Sequence, residues 1–451
     1  VHYKPRSNLR LTHCSALNAP STTTTADCVV VGGGIIGLSI SLSLLHAGLT
    51  VALIDKGVPC SGATGAGQGY LWLAHRNPHD TEAFAMARHS RLLWNAIIGR
   101  YNNSTTSSRK SLIDPSDVGW VNTGSMLLAT TYEETAMLEQ RAQSLIQAGI
   151  QSTSLLTARQ AMDLEPAISI PTDSGSALIV SSDSQIDGKL ATYAVLDCCE
   201  ENGAAFTPFF HEEVGCISIS DRHVITNRNR TIRAMKDIII SAGAWSGDFL
   251  ADSIVDRDYS SWKGAVRARK GHLLEYAYPP YMPRLSHGLM EVGYTKHYNN
   301  NSSSRRSSKE GGMISSSTNS TERDITFTAT STAGRESILL GSSREFSESM
   351  AVDEGVVGAI LERTAEYLPG VREISPSRDL ISARVGGRPY SRRGKPYVGR
   401  VEEGLVLAMG HEGSGLTLSW ATAEMVVDVV VGRRTGKVPD GVVEFLQPMS
   451  V

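Results

Sequence analysis

A chain of 451 residues is long enough to bury two cores, since single cores stop growing at roughly 250–300 residues, and two domains are the starting expectation. Its 43 Lys plus Arg against 46 Asp plus Glu leave no field that would gather nucleic acid or an anionic membrane, which points to a small-molecule partner. The 42 glycines, many in short runs, mark places where backbone passes close to something, and the six cysteines show neither CxxC nor His-rich spacing, so no metal site is expected.

The first 26 residues hold Lys4, Arg6 and Arg10, no acid, and a Ser/Thr cluster ending in Thr22 to Thr25. This is the composition of an organelle transit peptide, so a chloroplast or mitochondrial location is expected over the cytoplasm. Residues 27 to 55, DCVVVGGGIIGLSISLSLLHAGLTVALID, read as strand, glycine turn, helix, a stop at Gly48, and a second strand. The apolar run from Cys28 to Leu45 is broken by Gly32, Gly33, Gly34 and Gly37, so no transmembrane segment is expected. The motif Gly32-x-Gly34-x-x-Gly37 directly follows the first strand, and Asp55 ends the second. In such a βαβ unit Gly32 permits the tight turn, Gly34 lets backbone approach a pyrophosphate, and Gly37 lets the helix pack on the sheet. The helix N-terminus offers N–H groups to phosphate. Asp55 would accept from an adenosine ribose hydroxyl and repel a 2′-phosphate, which favours FAD or NAD over NADP.

Next comes CSGATGAGQGYLW, Cys60 to Trp72, a second glycine-rich turn that sets the hydroxyls of Ser61 and Thr64 for contacts with a long dinucleotide. The polar stretch Tyr101–Lys110 leads to a strand within VGWVNTGSMLLAT, where a second domain is expected to begin. A helix over 132–149 and a short one stopped before Pro166 follow. A helix from Lys189 to Asn202 and the strands AAFTPFF, EVGCISIS, HVITNR and KDIIISAGAWS return the chain to the first domain. Its segment IIISAGAWS puts the small residues Ala242 and Gly243, then Trp245, at a strand end. From Val266 to Phe346 long β-structure is expected, interrupted by the Ser/Asn-rich run Asn299–Thr321, read as a disordered insertion. The final section holds GGRPYSRRGKPYVG, a strand EGLVLAMG, the turn GHEGSG (Gly410–Gly415) and an apolar helix whose N-terminus can face a flavin carbonyl. That remote turn has no use in an NAD-dependent dehydrogenase, and it selects FAD.

In their order these segments resemble the D-amino-acid oxidase-like family of FAD oxidoreductases, which includes glycine oxidase, sarcosine oxidase and bacterial D-amino-acid dehydrogenases. The resemblance spans residues 27 to about 435 and rests on VVVGGGIIGLSIS, GATGAGQGYLW, the strand with Glu213 and Val214, SAGAWS, VRARKGHLLE, LLGSSREF, GGRPYSRRGKPYVG and GHEGSGLTLSWATAEMV. It implies an α/β fold: a Rossmann-type FAD domain from 27–100, 180–260 and 381–451, plus a smaller α+β substrate domain from 101–179 and 261–380 with a large mixed or antiparallel sheet, covering the reactive side of the flavin. It implies that Gly32, Gly34, Gly37 and Asp55 bind the adenosine and pyrophosphate parts, that Val214 touches adenine through its backbone, that Gly69, Arg388 and Gly413, Ser414, Gly415 and Leu416 surround the isoalloxazine, and that Gln68 is a further cofactor-binding residue.

The implied chemistry is hydride transfer to flavin N5 from a carbon bearing a neutral amine, with oxygen or a quinone or other carrier as final acceptor. The protein must aim the C–H bond, hold a carboxylate and supply positive potential. Arg388, after two glycines in GGRP, is the natural choice, and Arg344 in GSSREF is a second carboxylate clamp; a surface ion pair is the bland alternative for either. His411 would orient near the flavin or serve as a structural hydrogen-bonder, and Tyr70 would shape the pocket or lie in the core. Glycine oxidase-like members carry an arginine after a proline where FTATSTAGRES here has Thr330 and Ser331. That departure keeps a non-catalytic FAD-containing assembly factor as an alternative. No cysteine follows Cys216, where the sarcosine oxidase type places one, so non-covalent FAD is expected.

Overall fold

The structure is a computed structural model and describes residues 23–99, 112–296, 323–332, 334 and 336–432. The leader up to residue 22, the polar stretch Tyr101–Lys110 and the Asn299–Thr321 insertion lie outside these described residues. Two compact units share the chain, which passes between them after Ala63, Ala191, Arg267 and Arg388.

The first unit holds the described residues up to Ala63, Thr192–Arg267, and those from Pro389 onward. Its sheet runs in the order Tyr397–Glu402, Leu405–Met409, Thr231–Ile240, Thr23–Val31, Val51–Ile54, Phe206–Phe209. The first of these five pairings is antiparallel and the other four are parallel. Buried on both faces, these strands read as unbroken apolar runs, Val29 to Val31, Val51 to Ile54 and Ile238 to Ile240, all nearly inaccessible, as parallel strands should. His223–Thr226 and Val214–Ser218 add an antiparallel flap to Thr231–Ile240. The first strand starts at Thr23 and so takes in the last four residues of the expected leader, because Thr23 to Ala26 pair in register with Thr231 to Ala234. The helix Ile35–His46 packs on the helix Gly415–Val431. Among the described residues, Glu412–Val431 alone is long and apolar enough to cross a membrane, yet most of it is buried inside the unit. Leu416, Leu418, Ala423 and Val426 make it a core helix.

The second unit comprises Thr64–Ala191 and Ala268–Arg388. The sequence reading put the first boundary near residue 100; the packing puts it after Ala63, which makes the second unit the larger. One reason is Asp183, fully buried, which accepts from the N–H groups of Leu73 and Ala74 at 2.9 and 3.1 Å, from Ser125 Oγ at 2.7 Å and from Arg91 at 2.6 Å. A carboxylate so enclosed survives only with its hydrogen bonds satisfied, and this set ties the 64–99 segment to its own unit. The sheet order is Leu380–Ser391, Val266–Ala277, Ser337–Phe346, Asp324–Ser331, Gly288–Glu291, Ser125–Ala129, Ser176–Val180, Thr153–Thr157. A parallel pair, Gly288–Glu291 with Ser125–Ala129, sits among antiparallel neighbours. Helix Glu354–Tyr367 covers one face through Val356, Val357, Ile360 and Leu361 against Phe327 and Leu340.

Candidate active site

In the first unit, Gly32 ends the Thr23–Val31 strand with φ +115, a left-handed conformation that favours glycine. A Cβ there would overlap the Ser241 carbonyl oxygen and lie 2.8 Å from the Ser241 carbonyl carbon. A Cβ on Gly37 would overlap the Gly32 carbonyl oxygen and lie 2.7 Å from Ser241 Oγ. Helix Ile35–His46 starts at Gly34 without a side-chain cap and without an acid in its first turn. Its first N–H groups have no intrahelical partner. Asp55 Oδ2 accepts from the Gly33 N–H at 2.6 Å and Oδ1 from the Gly57 N–H at 2.7 Å. A carboxylate has about four acceptor positions, so two N–H groups leave capacity for hydroxyls.

Around this turn, Cys60 donates its N–H to the Gly33 carbonyl at 3.1 Å, and the exposed Ser61 follows it. Val214 opens its strand opposite Thr226. Ala242 and Gly243, φ +62, begin a short 3-10 turn that ends at Trp245, whose half-exposed ring lies 4.8 Å under Lys56 Nζ. The turn Glu412–Ser414, holding Gly413, leads into helix Gly415–Val431, which again starts without a side-chain cap or first-turn acid. The two helix starts are therefore suited to electronegative groups. A glycine cradle too tight for Cβ, an acid at the end of the second strand, and a helix without an acid in its first turn fit the adenosine, ribose and pyrophosphate of FAD.

His411 precedes the second of these helices and is buried, its Nε2 3.0 Å from Thr422 Oγ1. Burial pulls its pKa down from 6.5 to about 3. An imidazole held neutral in the fold but free to protonate when unfolded stabilises fully only above pH 6.5. That stability is lost as pH falls, about 2 kcal/mol of it by about pH 5. His411→Gln is expected to lower the loss in chemical-denaturation stability between pH 7 and 5 by this amount; an identical loss in both proteins would count against it.

The second unit holds the remaining candidates. Thr64 accepts from the Gly67 N–H in the turn before Gln68. Gly69 has φ +90, and a Cβ on it would overlap the Ile186 carbonyl oxygen. Tyr70 stacks on Trp72 with centroids 3.7 Å apart, and Trp72 and Tyr294 each set a ring edge near His75. Burial, then the cations Arg76, Arg141 and Arg344, push the His75 pKa well down. Arg344 is 1% exposed and lies 4.4 Å over the Tyr294 ring, so a solvated surface arginine is excluded. Thr330 Oγ1 is approached by the amides of Gln68 at 3.4 Å and Gln185 at 3.3 Å, and Thr328 Oγ1 donates to Gln68 Oε1 at 2.8 Å. Arg388 donates from Nη1 to the Ser343 carbonyl at 2.9 Å. Sequence reasoning missed Gln185, Tyr294, Ser343 and Gly271. For Gly271 a signal existed, since glycine inside a strand marks a close approach of another group.

A parallel-stranded unit with this glycine cradle defines a dinucleotide-binding protein. The chain belongs to the DAO family of FAD dependent oxidoreductases, whose model matches residues 27–429, and it is an FAD enzyme. It is 26% identical over 418 residues to glycine oxidase of Geobacillus kaustophilus (strain HTA426), covering 91% of this chain and 94% of that protein. The crystal structure of glycine oxidase from Geobacillus kaustophilus superposes with TM-score 0.70 at 24% identity, covering 91% and 96% of the two chains. Iminodiacetate oxidase from Chelativorans sp. BNC1 gives 0.69 at 21% identity, covering 93% and 98%. L-proline dehydrogenase from P. horikoshii gives 0.70 at 18%, covering 94% and 98%. At these identities the structures establish the fold. The expected organelle location is corrected: the glycine oxidases that match come from Geobacillus, Bacillus and Pseudomonas, bacteria that have no such organelles. A basic, Ser/Thr-rich composition is shared by many segments that carry no address, which is why it misled.

Proposed function

We propose that this enzyme oxidises a small amine or amino acid at the carbon bearing the nitrogen, and that its FAD is held non-covalently. The glycine oxidase, iminodiacetate oxidase and proline dehydrogenase to which it is similar are each named for a substrate with a C–H bond beside an amine nitrogen and a carboxylate. The observation that carries the reading is Arg388, an arginine set across a strand and tied to a backbone carbonyl of its own unit. It is assigned to the substrate carboxylate, which a planar guanidinium grips through two parallel hydrogen bonds. Arg344, already packed on Tyr294, is assigned to supporting positive potential.

In this reading the glycine turn Gly32, Gly34 and Gly37 and the start of helix Ile35–His46 receive the pyrophosphate, and Asp55 accepts from the ribose. The Val214 backbone meets adenine. Ser61, Thr64, Gln68, Gly69, Ala242, Gly243 and Trp245 are assigned to the rest of the cofactor's bed, and Gly413 to Leu416, at the start of helix Gly415–Val431, to negative charge on the ring. Bound FAD supplies a two-electron acceptor at N5. The chain's part is to fix the carboxylate so that the C–H bond is aligned, which needs no acid or base once the amine is neutral. The final acceptor is oxygen or a quinone-type carrier.

Anaerobic mixing of the purified protein with glycine, sarcosine, D-amino acids and proline tests this. Bleaching of the visible flavin band by one of them is expected, and readmission of air or a quinone then identifies the acceptor. If every amine left the band unchanged, the substrate class would be wrong. Flavin that stayed with the polypeptide on a denaturing gel would refute non-covalent attachment.

A further inference from the structure

In the sheet of the second unit, the strand Val266–Ala277 lies between Leu380–Ser391 and Ser337–Phe346. Arg388 sits on the first of these flanking strands and Ser343, whose carbonyl accepts its Nη1, on the other. The arginine side chain therefore crosses the middle strand, and it does so at Gly271. A Cβ at that position would lie 2.5 Å from Cζ and 2.6 Å from Nη2 of Arg388 and would overlap Nη1. The three atoms nearest that Cβ all belong to Arg388, so the missing side chain is matched to one guanidinium.

The strand pairing departs from regularity at the same place. Lys270 faces Glu345 and Leu273 faces Gly341, but the register shifts between them. Within the shift the His272 N–H donates to Ser343 Oγ at 2.9 Å, and the His272 ring Nδ1 lies 3.0 Å from the same oxygen. The Ser343 hydroxyl thus serves the middle strand while its carbonyl serves Arg388. Glycine in a strand interior is destabilising against alanine, so a glycine here calls for a compensating gain. The crossing supplies it.

We propose that Gly271 is a positioning residue for the reaction: it opens the track along which Arg388 reaches Ser343 and so fixes the plane of the guanidinium. The proposal rests on the role given to Arg388 above. It makes Gly271 act through Arg388 alone, with no contact to substrate of its own, and this sets it apart from a glycine needed merely for folding.

A double-mutant cycle on the FAD-loaded protein tests it, using Gly271→Ala, Arg388→Ala and the double variant. The readouts are KM and kcat for the amine found active, the Kd for acetate from the change in flavin absorbance, and the thermal midpoint. Gly271→Ala is expected to raise KM and the acetate Kd about tenfold with a smaller change in kcat, as a displaced charge-assisted pair requires. Added to Arg388→Ala, it is expected to change neither constant, because residues acting through one contact are not additive. Equal losses with and without Arg388, or no effect of Gly271→Ala, would overturn the proposal. If Gly271→Ala alone does not fold, removal of the arginine must restore the midpoint, and failure to do so overturns it equally. Unchanged constants in Arg388→Ala would sink the role of the arginine itself, a result distinct from either.

Discussion

Gly37→Ala is expected to purify almost colourless. The added methyl would enter the space of the Gly32 carbonyl oxygen and approach Ser241 Oγ to 2.7 Å, and neither neighbour is free to withdraw. Gly32 is itself pressed against the Ser241 backbone, while Val31 and Ile240 are held in parallel register immediately before these two residues. The helix Ile35–His46 must then move away from the sheet, and its first N–H groups move with it. Overpacking of this kind costs about 1–3 kcal/mol in a core. Here it also dismantles the pyrophosphate bed, so FAD affinity should fall at least about a hundredfold, or about 3 kcal/mol. Gly48 provides the control, since a Cβ on it would meet nothing within 4 Å. Gly48→Asn, which tolerates the left-handed backbone there, is expected to keep its flavin. The flavin-to-protein absorbance ratio decides, and a Gly37→Ala protein with a full complement of FAD would remove the cradle from the site.

Arg388→Ala is expected to cost about two to three orders of magnitude in kcat/KM on a carboxylate-bearing amine, about 3–4 kcal/mol of transition-state stabilisation. Removing one member of a close charge pair costs about 2–5 kcal/mol, much of it from leaving the other charge unmatched. Most of the loss should appear in KM, with flavin content unchanged, since the side chain is bound to Ser343 in the second unit. Arg388→Lys should recover little, because a lysine lacks the fork that grips two oxygens and would not reproduce the planar crossing. An amine without a carboxylate is the discriminating substrate. If its turnover fell as steeply as that of the amino acid, Arg388 would serve the ring and not the substrate.

The dinucleotide unit was legible because its signals are local. Within 29 residues, from Asp27 to Asp55, the chain spells strand, glycine turn, helix, strand and acid, and each piece is set by periodicity or a backbone requirement that a neighbour along the chain imposes. The late strand and helix that complete this unit were legible for the same reason. What escaped depends on partners far along the chain. Asp183 gathers 64–99 into the second unit through bonds to Leu73, Ala74 and Arg91, and nothing around residue 64 announces that. The Arg388 crossing needs residues 271, 343 and 388 at one point of a sheet, a juxtaposition set by a register shift that composition does not encode. Arg344 illustrates the opposite hazard: at a strand end its sequence suggests a solvated charge, while the strand carries it into an aromatic interior.

The parallel pairing of Leu405–Met409 with Thr231–Ile240 bears on how the polypeptide matures during synthesis. Until Leu405–Met409 has been translated, Ile238 to Ile240 present a bare, strongly apolar edge, a template on which nascent chains stick to one another. A prematurely terminated product ending before Leu405 would be a hazard to its neighbours as well as inactive. The cell that makes this enzyme must therefore shield an unfinished sheet through the more than 150 residues that separate the two strands.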